Sequence, residues 1–342
     1  MRIADDEPGT MLDDRKAAIL RAVVEQYIET AQPVGSGHVV RGGSLNVSPA
    51  TVRNEMAALE AEGYLRQPHT SAGRVPTEKG YRFFVDHLAP PRLAAWKAEQ
   101  VSAFFARAHG EMEQMLAETS RLLSTLTDYA AVVVSPPHEA ASIRSVQLVG
   151  LSGQLALVVV VLSNGAVEKA TVELDGSAGP ERLAAATAHL STHVVGTTLA
   201  SVRTVPATGD VATDHLVAAA LDAVAPNRRH ADGDQVYVGG ASRVVAAFEA
   251  VDTVRKVLSI LEEQYLVVSL LRDVVDRGMN VAIGTETGLE PLAECSLVVA
   301  PFEAGGEGGT IAVLGPTRMD YPQALAAVAV VSHRLGHRLS EG

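Results

Sequence analysis

The chain has 342 residues, 47% of them hydrophobic and 20% charged, with a formal net charge of −12. That length accommodates two or three domains, and the apolar share supports packed cores rather than global disorder. A single cysteine, Cys295, excludes an internal disulfide and cysteine-rich zinc sites, and it suits a reducing cytosol.

Aromatic residues are only 4% of the chain, so Ala, Val and Leu must fill the core. No apolar run reaches the roughly 18–20 residues of a membrane span. The nearest, Gln154 to Leu162, is short and β-branched and reads as a buried strand. The opening MRIADDEPGT lacks the apolar stretch of a signal peptide. Residues 1–11 read as a disordered leader, with Met11 as an alternative start, and the expected location is cytoplasmic.

Charge is unevenly distributed. Residues 1–88 hold 10 Lys/Arg and 12 Asp/Glu, and the remaining 254 hold 18 and 28. Within Tyr64–Val85 the basic residues Arg66, Arg74, Lys79 and Arg82 face Glu78 alone, a local balance of +3. Net acidity disfavours non-specific nucleic-acid binding but leaves room for a local site.

Leu12 to Thr30 carries apolar residues at helical spacing, with Asp13 and Asp14 near the favourable end of the helix dipole. Pro33 and Gly35 break the pattern, and Ser36 can cap a short second helix that ends at Gly42–Gly43. The third helix is the best specified. Ser48 is an N-cap, Pro49 occupies the first helical position and Gly63 is the stop. Val52, Met56 and Leu59 form one stripe, and Asn54 lies nearly opposite with Ala50, Ala57 and Ala61, flanked by Thr51 and Arg53. A small polar face permits close approach, Asn can pair bidentately with adenine, and Arg with guanine. An ordinary amphipathic helix with a solvated face fits the same pattern, so this helix alone does not decide.

YLRQP and RVPT can pair as a hairpin around HTSAG, where His69, Thr70, Ser71 and Arg74 are hydrogen-bonding groups with no apolar role. Thr77 then caps a helix in which Phe83, Phe84 and Leu88 can pack inward. Three helices followed by a two-stranded wing is winged helix-turn-helix order. The third helix would enter the major groove, the wing would reach backbone or minor groove, and the basic residues, Lys79 and Arg82 included, would touch phosphate. The DNA-binding candidates are Ser48, Thr51, Arg53, Asn54, His69, Thr70, Ser71, Arg74, Lys79 and Arg82.

The run SPATVRNEMAALEAEGYLRQPHTSAGRVPTEKGYRFFVDHL, Ser48 to Leu88, resembles the N-terminal signature of the HrcA family of bacterial heat-inducible transcription repressors. VYVGGASR, the GTE of Gly284–Glu286, SLVVAPF and GPTRMDY (Gly315–Tyr321) resemble its C-terminal signatures. The resemblance implies an α+β protein in three parts: a winged helix-turn-helix domain at 12–89, a GAF-like domain at 90–175 and 252–342, and an inserted dimerisation domain at 176–251. It also implies a homodimer on an inverted-repeat operator upstream of chaperone operons, released on heat stress. The chaperonin is the implied partner that keeps the repressor active.

Periodicity in the C-terminal body agrees with mixed helix and sheet. Pro90 to Tyr129 reads helical after a Pro90–Pro91 linker. Three strand-like runs follow, separated by Ser152–Gly153 and by Ser163–Asn164–Gly165. A mostly helical stretch runs to Ala225, followed by a strand at VYVGG and a long helix or helix pair from Asp252. Three more strands and a closing helix with Pro322 near its start complete the chain.

No motif signals catalysis or a metal. Gly305–Gly309 lacks the Lys-Ser/Thr of a phosphate loop and reads as a turn. The pairs His333/His337 and His189/His193 have helical spacing but no companion acid, Cys295 reads as packed, and no nucleophile elbow occurs. GPTRMDY reads as structural, with Arg318 and Asp320 pairing or capping the last helix. No cofactor or enzyme activity is expected. The alternative function is a winged-helix regulator whose GAF-like domain senses a small ligand, which calls for a polar, enclosed pocket in the body.

Overall fold

The computed structural model describes residues 12–41, 47–69, 73–90, 92–108, 112–136, 141–152, 154–163, 165–174, 179–198, 201–202, 204–224, 235–248, 250–304 and 307–341. Its architecture is α+β. Contacts divide it into two units, Met1–Arg92 with Ala282–Leu297 and Gly315–Ala324, and Leu93–Val281 with Val298–Leu314 and Leu325–Gly342.

The first unit opens with α1 (Asp14–Thr30), α2 (Ser36–Arg41) and α3 (Pro49–Ala61). They are followed by the antiparallel pair β1 (Leu65–Arg66) and β2 (Val75–Pro76), and by α4 (Glu78–Asp86). Asp13 caps α1 by accepting from the Lys16 amide at 2.8 Å. The core of this headpiece is Ile19, Leu20, Val23 and Val24 of α1, Val39 of α2, Val52, Met56 and Leu59 of α3, and Leu65, Val75, Tyr81 and Phe84 beyond. The expected apolar stripe of α3 is therefore its buried face.

After α4 the chain continues with α5 (Ala95–Arg107), α6 (Met112–Thr127) and β3 (Ala130–Val134). Then come β4 (Ile143–Ser152), β5 (Leu155–Leu162), β6 (Val167–Glu173), α7 (Pro180–Val194) and α8 (Val211–Val224). Next are β7 (Val236–Gly239), α9 (Ala241–Ala247), α10 (Val251–Glu262), α11 (Gln264–Asp276) and β8 (Val281–Ile283). The chain closes with β9 (Cys295–Ala304), β10 (Glu307–Pro316) and α12 (Tyr321–Glu341). One sheet has the order β7-β3-β10-β9-β8, and a separate three-stranded sheet has the order β4-β5-β6. Helix α6 packs on β3 and β7, and the approach is close enough that a Cβ on Gly239 would lie 2.4 Å from the Ser120 backbone.

The three-stranded sheet is covered on one face by α7 and α8. Along β5 burial alternates strictly, with Ala156, Val158, Val160 and Leu162 inside and Leu155, Leu157, Val159 and Val161 less covered. The alternation places one set of aliphatic side chains on each face.

Three details differ from the sequence reading. The strands 143–173 pack with the helices 180–224, so the packing groups these residues together across the expected boundary at 175/176. Strand alternation shows that a face is buried but not which sheet a strand joins. Strand β3, a five-residue run buried throughout, is absent from that reading, because a continuous apolar run carries no period. The expected Gly305–Gly309 turn overlaps a strand from Glu307 on. Residues 305–306 lie outside the described set, β10 starts at Glu307, and a Cβ on Gly309 would meet the Phe302 ring at 2.3 Å. The long helix does prove to be the pair α10 and α11, broken at Glu263.

The GPTRMDY run performs a structural task. Asp320 Oδ1 accepts from the Gln323 amide at 3.0 Å and so caps α12. The buried Tyr321 hydroxyl lies 2.7 Å from Ser296 Oγ and donates to the Thr317 carbonyl at 2.6 Å.

Candidate nucleic-acid interface

Helix α3 is set at both ends by its own sequence. Ser48 Oγ accepts from the Thr51 amide at 3.2 Å and lies 3.0 Å from Thr51 Oγ1, with Pro49 at the first position. At the other end the Gly63 amide donates to the Glu60 carbonyl and the Tyr64 amide to Leu59, with Gly63 at φ +80°. This six-to-one and five-to-two pair is a Schellman stop, and the left-handed residue in it favours glycine.

The outward face of α3 is small and carries no carboxylate. Ala50, Arg53, Asn54, Ala57 and Ala61 are exposed, and Thr51 is half-buried. The side chains of Arg53 and Asn54 are engaged by no described residue. The acids in and just after the helix point elsewhere and are neutralised there. Glu55 pairs with Arg15 at 2.8 Å, Glu60 with Arg74 at 2.8 Å and Glu62 with Lys16 at 2.6 Å. Exposed pairs of this kind add little to stability. Their effect here is to remove negative potential from beside the face that Arg53 and Asn54 present.

The hairpin after α3 is pinned at its base. Val34, in the link between α1 and α2, exchanges both backbone hydrogen bonds with Arg74 at 2.9 Å. A Cβ on Gly73 would fall 2.4 Å from the Val34 carbonyl oxygen, so this approach requires glycine. His69 is exposed, whereas Thr70 and Ser71 lie outside the described residues. Thr77 caps α4, accepting from the Gly80 amide at 3.2 Å, and its hydroxyl donates to the carbonyls of Gly63 and Tyr64.

The basic residues of the segment are held unequally. Arg74 is committed to Glu60. Lys79 donates to the Glu62 carbonyl at 2.9 Å and stands over the Tyr64 ring at 4.2 Å, which ties α4 to the end of α3. Arg82 is gripped by Glu286 through Nε at 2.9 Å and through Nη2, and it donates to Asp86 at 3.3 Å. Burial works against the Arg82 charge, and its hydrogen bonds to Glu286 and Asp86 outweigh that, so its pKa is raised. Sequence reading missed Glu60, Glu62 and Glu286 as partners. The acid-rich tail of α3 was a visible signal for the first two. Glu286, 204 residues from Arg82, had none.

Among the described residues no group of three or more His, Cys, Asp or Glu gathers as a metal site, and no helix is long and apolar enough to cross a membrane. The rings of His189 and His193 lie 4.6 Å apart, and His189 Nε2 is 2.7 Å from the Pro206 carbonyl oxygen.

Comparison with known proteins agrees over nearly the whole chain. Residues 113–325 match the model described as "HrcA protein C terminal domain". A protein of Pelotomaculum thermopropionicum named "Heat-inducible transcription repressor HrcA" is 36% identical, covering 96% of this chain and 97% of its own. Proteins of the same name from Kineococcus radiotolerans and a Nocardioides strain are 38% and 37% identical, each over 97% of this chain and 100% of their own. A crystal structure described as a hypothetical protein covers 97% of this chain and 99% of its own with a TM-score of 0.69 at 22% identity, which supports the fold. The chain therefore belongs to the HrcA family of heat-inducible transcription repressors, which is not a family of enzymes.

Proposed function

We propose that residues 12–89 form a winged helix-turn-helix domain that reads an inverted-repeat operator of chaperone genes. The observation that carries this is the outward face of α3, where Arg53 and Asn54 stand exposed among alanines while every nearby acid is neutralised elsewhere. In this reading α3 enters the major groove. Arg53 and Asn54 meet base edges, and Ser48 and Thr51 position the helix terminus on the backbone. His69, Thr70, Ser71 and Arg74 supply the wing, and Lys79 adds positive charge beside it. Arg82, expected from sequence to touch phosphate, is held by Glu286 instead.

The remainder divides, in this proposal, into a GAF-like domain around the five-stranded sheet and an insertion formed by β4–β6, α7 and α8. The insertion joins two copies of the chain through the less covered face of its sheet. There Val149 pairs with Leu157, next to Val159 and Val161, and Val149 and Leu151 are 41% and 57% exposed. A dimer gains because the second half-site binds at high effective concentration. The cytoplasm is the compartment, and the chaperonin is the partner that the family resemblance implies. The alternative keeps the DNA-reading domain and has the GAF-like domain sense a small ligand. The apolar gap lined by residues such as Val146, Val158, Leu190 and Val194 lies between the three-stranded sheet and its own helices, in the insertion of this division.

The test is a gel shift of the full chain on an inverted repeat and on a scrambled one, at several salt concentrations. Specific binding with a steep salt dependence is expected, and Arg74→Ala, which leaves Glu60 without its partner beside α3, should weaken both DNAs alike. Equal binding to the two DNAs would refute the reading.

A further inference from the structure

Helix α4 carries a second set of contacts that DNA reading does not use. It meets the turn Gly284–Thr287, which follows β8, through two carboxylates pointing in opposite directions. Glu78, in the first turn of α4, accepts from the Thr285 amide at 3.3 Å and from the Thr285 hydroxyl at 2.6 Å. Glu286, in the turn, accepts from Arg82 Nε at 2.9 Å and from Arg82 Nη2, and its Oε2 also accepts from the Ile283 amide at 2.9 Å. Each side thus gives an acid to the other.

Glycine at 284 makes this possible. Its φ is +56°, and a Cβ there would sit 2.2 Å from Glu78 Oε1. Between the two polar contacts Tyr81, 3% exposed, packs on Tyr321 with ring centroids 5.9 Å apart. The Arg82 and Glu286 side chains are 27% and 29% exposed, so the pair is half-buried. A guanidinium that binds phosphate must present its fork outward, and the fork of Arg82 is closed by Glu286 and Asp86.

We propose that Glu78, Arg82, Thr285 and Glu286 form a latch that fixes α4, and with it the reading helix, on the 284–287 turn. Arg82 is then a positioning residue, acting on operator binding through Glu286 and not through phosphate. Lys79 passes the constraint on, because it joins α4 to the carbonyl of Glu62 just after α3. The affinity part of this inference rests on the DNA reading above, but the latch itself does not.

The experiment uses the full chain with Arg82→Ala, Glu286→Gln and the two together. Thr285→Val breaks the other half of the latch without touching Arg82. Operator affinity is read across a salt series, and amide exchange at 78–86 is read without DNA. The expected result is that each single variant weakens operator binding about tenfold and the double variant is no worse. Salt slopes stay at the wild-type value, and exchange at 78–86 quickens in Glu286→Gln and in Thr285→Val. A slope lowered by about one in Arg82→Ala, with Glu286→Gln neutral, would make Arg82 a phosphate contact and overturn the latch. Tighter binding by Glu286→Gln, or additive single effects, would overturn it as well. If the wild type prefers no inverted repeat, the DNA reading fails alone, and exchange at 78–86 still decides: unchanged rates in both variants refute the latch, and faster rates uphold it.

Discussion

The outer face of α3 and the outer face of the β4–β5–β6 sheet are both surfaces left over after an element buries its other side. They are opposite in chemistry. The helix shows alanines, one arginine and one asparagine, with its acids turned away and neutralised. The sheet shows Val149, Leu157, Val159 and Val161, flanked by Gln147 and by Lys169, Thr171 and Glu173. A small polar face without negative charge suits a polyanion, whereas an aliphatic strip gains only by being covered with something equally apolar. In the proposed function the first surface meets DNA and the second a copy of the chain.

The largest expected effect comes from breaking the apolar surface. Val159→Asp places a charge in the middle of the strip, opposite Gln147 and Lys169. Sedimentation should show monomer, and operator affinity should fall by at least about a hundredfold through lost avidity, with the headpiece melt unchanged. A variant that stays dimeric would move the interface elsewhere. Next, Asn54→Ala and Arg53→Ala sharpen the polar surface. Each should cost roughly 1–3 kcal/mol on the operator and relax base preference, measured by competition with single-base operator variants. A loss shared equally by all sequences would make them backbone contacts.

A smaller effect tests whether the helix is built locally. Ser48→Ala removes the cap that receives the Thr51 amide and should cost about 1 kcal/mol in thermal melts, with Ser48→Gly costing less. The smallest effect belongs to neither surface and serves as their control. Burial, aided by the charge of Glu294, pushes the Cys295 thiol from its ordinary 9.0 up to about 12. The folded value lies above the unfolded one, so the neutral thiol favours the fold below about pH 9, and that preference fades as pH rises toward 12. At pH 8 a thiol reagent should label Cys295 only after denaturant is added. Rapid labelling of the native chain would contradict its burial.

Much of the headpiece was legible because its signals are local. Ser48, Pro49 and Gly63 mark the ends of α3 within sixteen positions, and Val52, Met56 and Leu59 mark its inner face. Arg53 and Asn54 follow as the outer face by helix geometry alone. The β1–β2 pairing was legible from YLRQP and RVPT, although the Val34–Arg74 bridge beside it was not, since nothing in either residue names the other. In the body, the Ser-Gly and Asn-Gly turns revealed β4, β5 and β6 as strands. They did not reveal that these strands leave the five-stranded sheet and pack with α7 and α8.

The basic count of Tyr64–Val85 shows the limit most clearly. Composition made Arg74, Lys79 and Arg82 equal, because a charge sum has no direction. The tertiary structure separates them into a guanidinium paired with Glu60, a cation tying α4 to α3, and a guanidinium closed by a carboxylate 204 residues away. What the sequence by itself determined here is the set of helix ends, turns and buried faces, whose energies arise within a few residues. Only the tertiary structure decided which charges remain available to a partner and which apolar face stays uncovered, because both depend on groups brought together from distant parts of the chain.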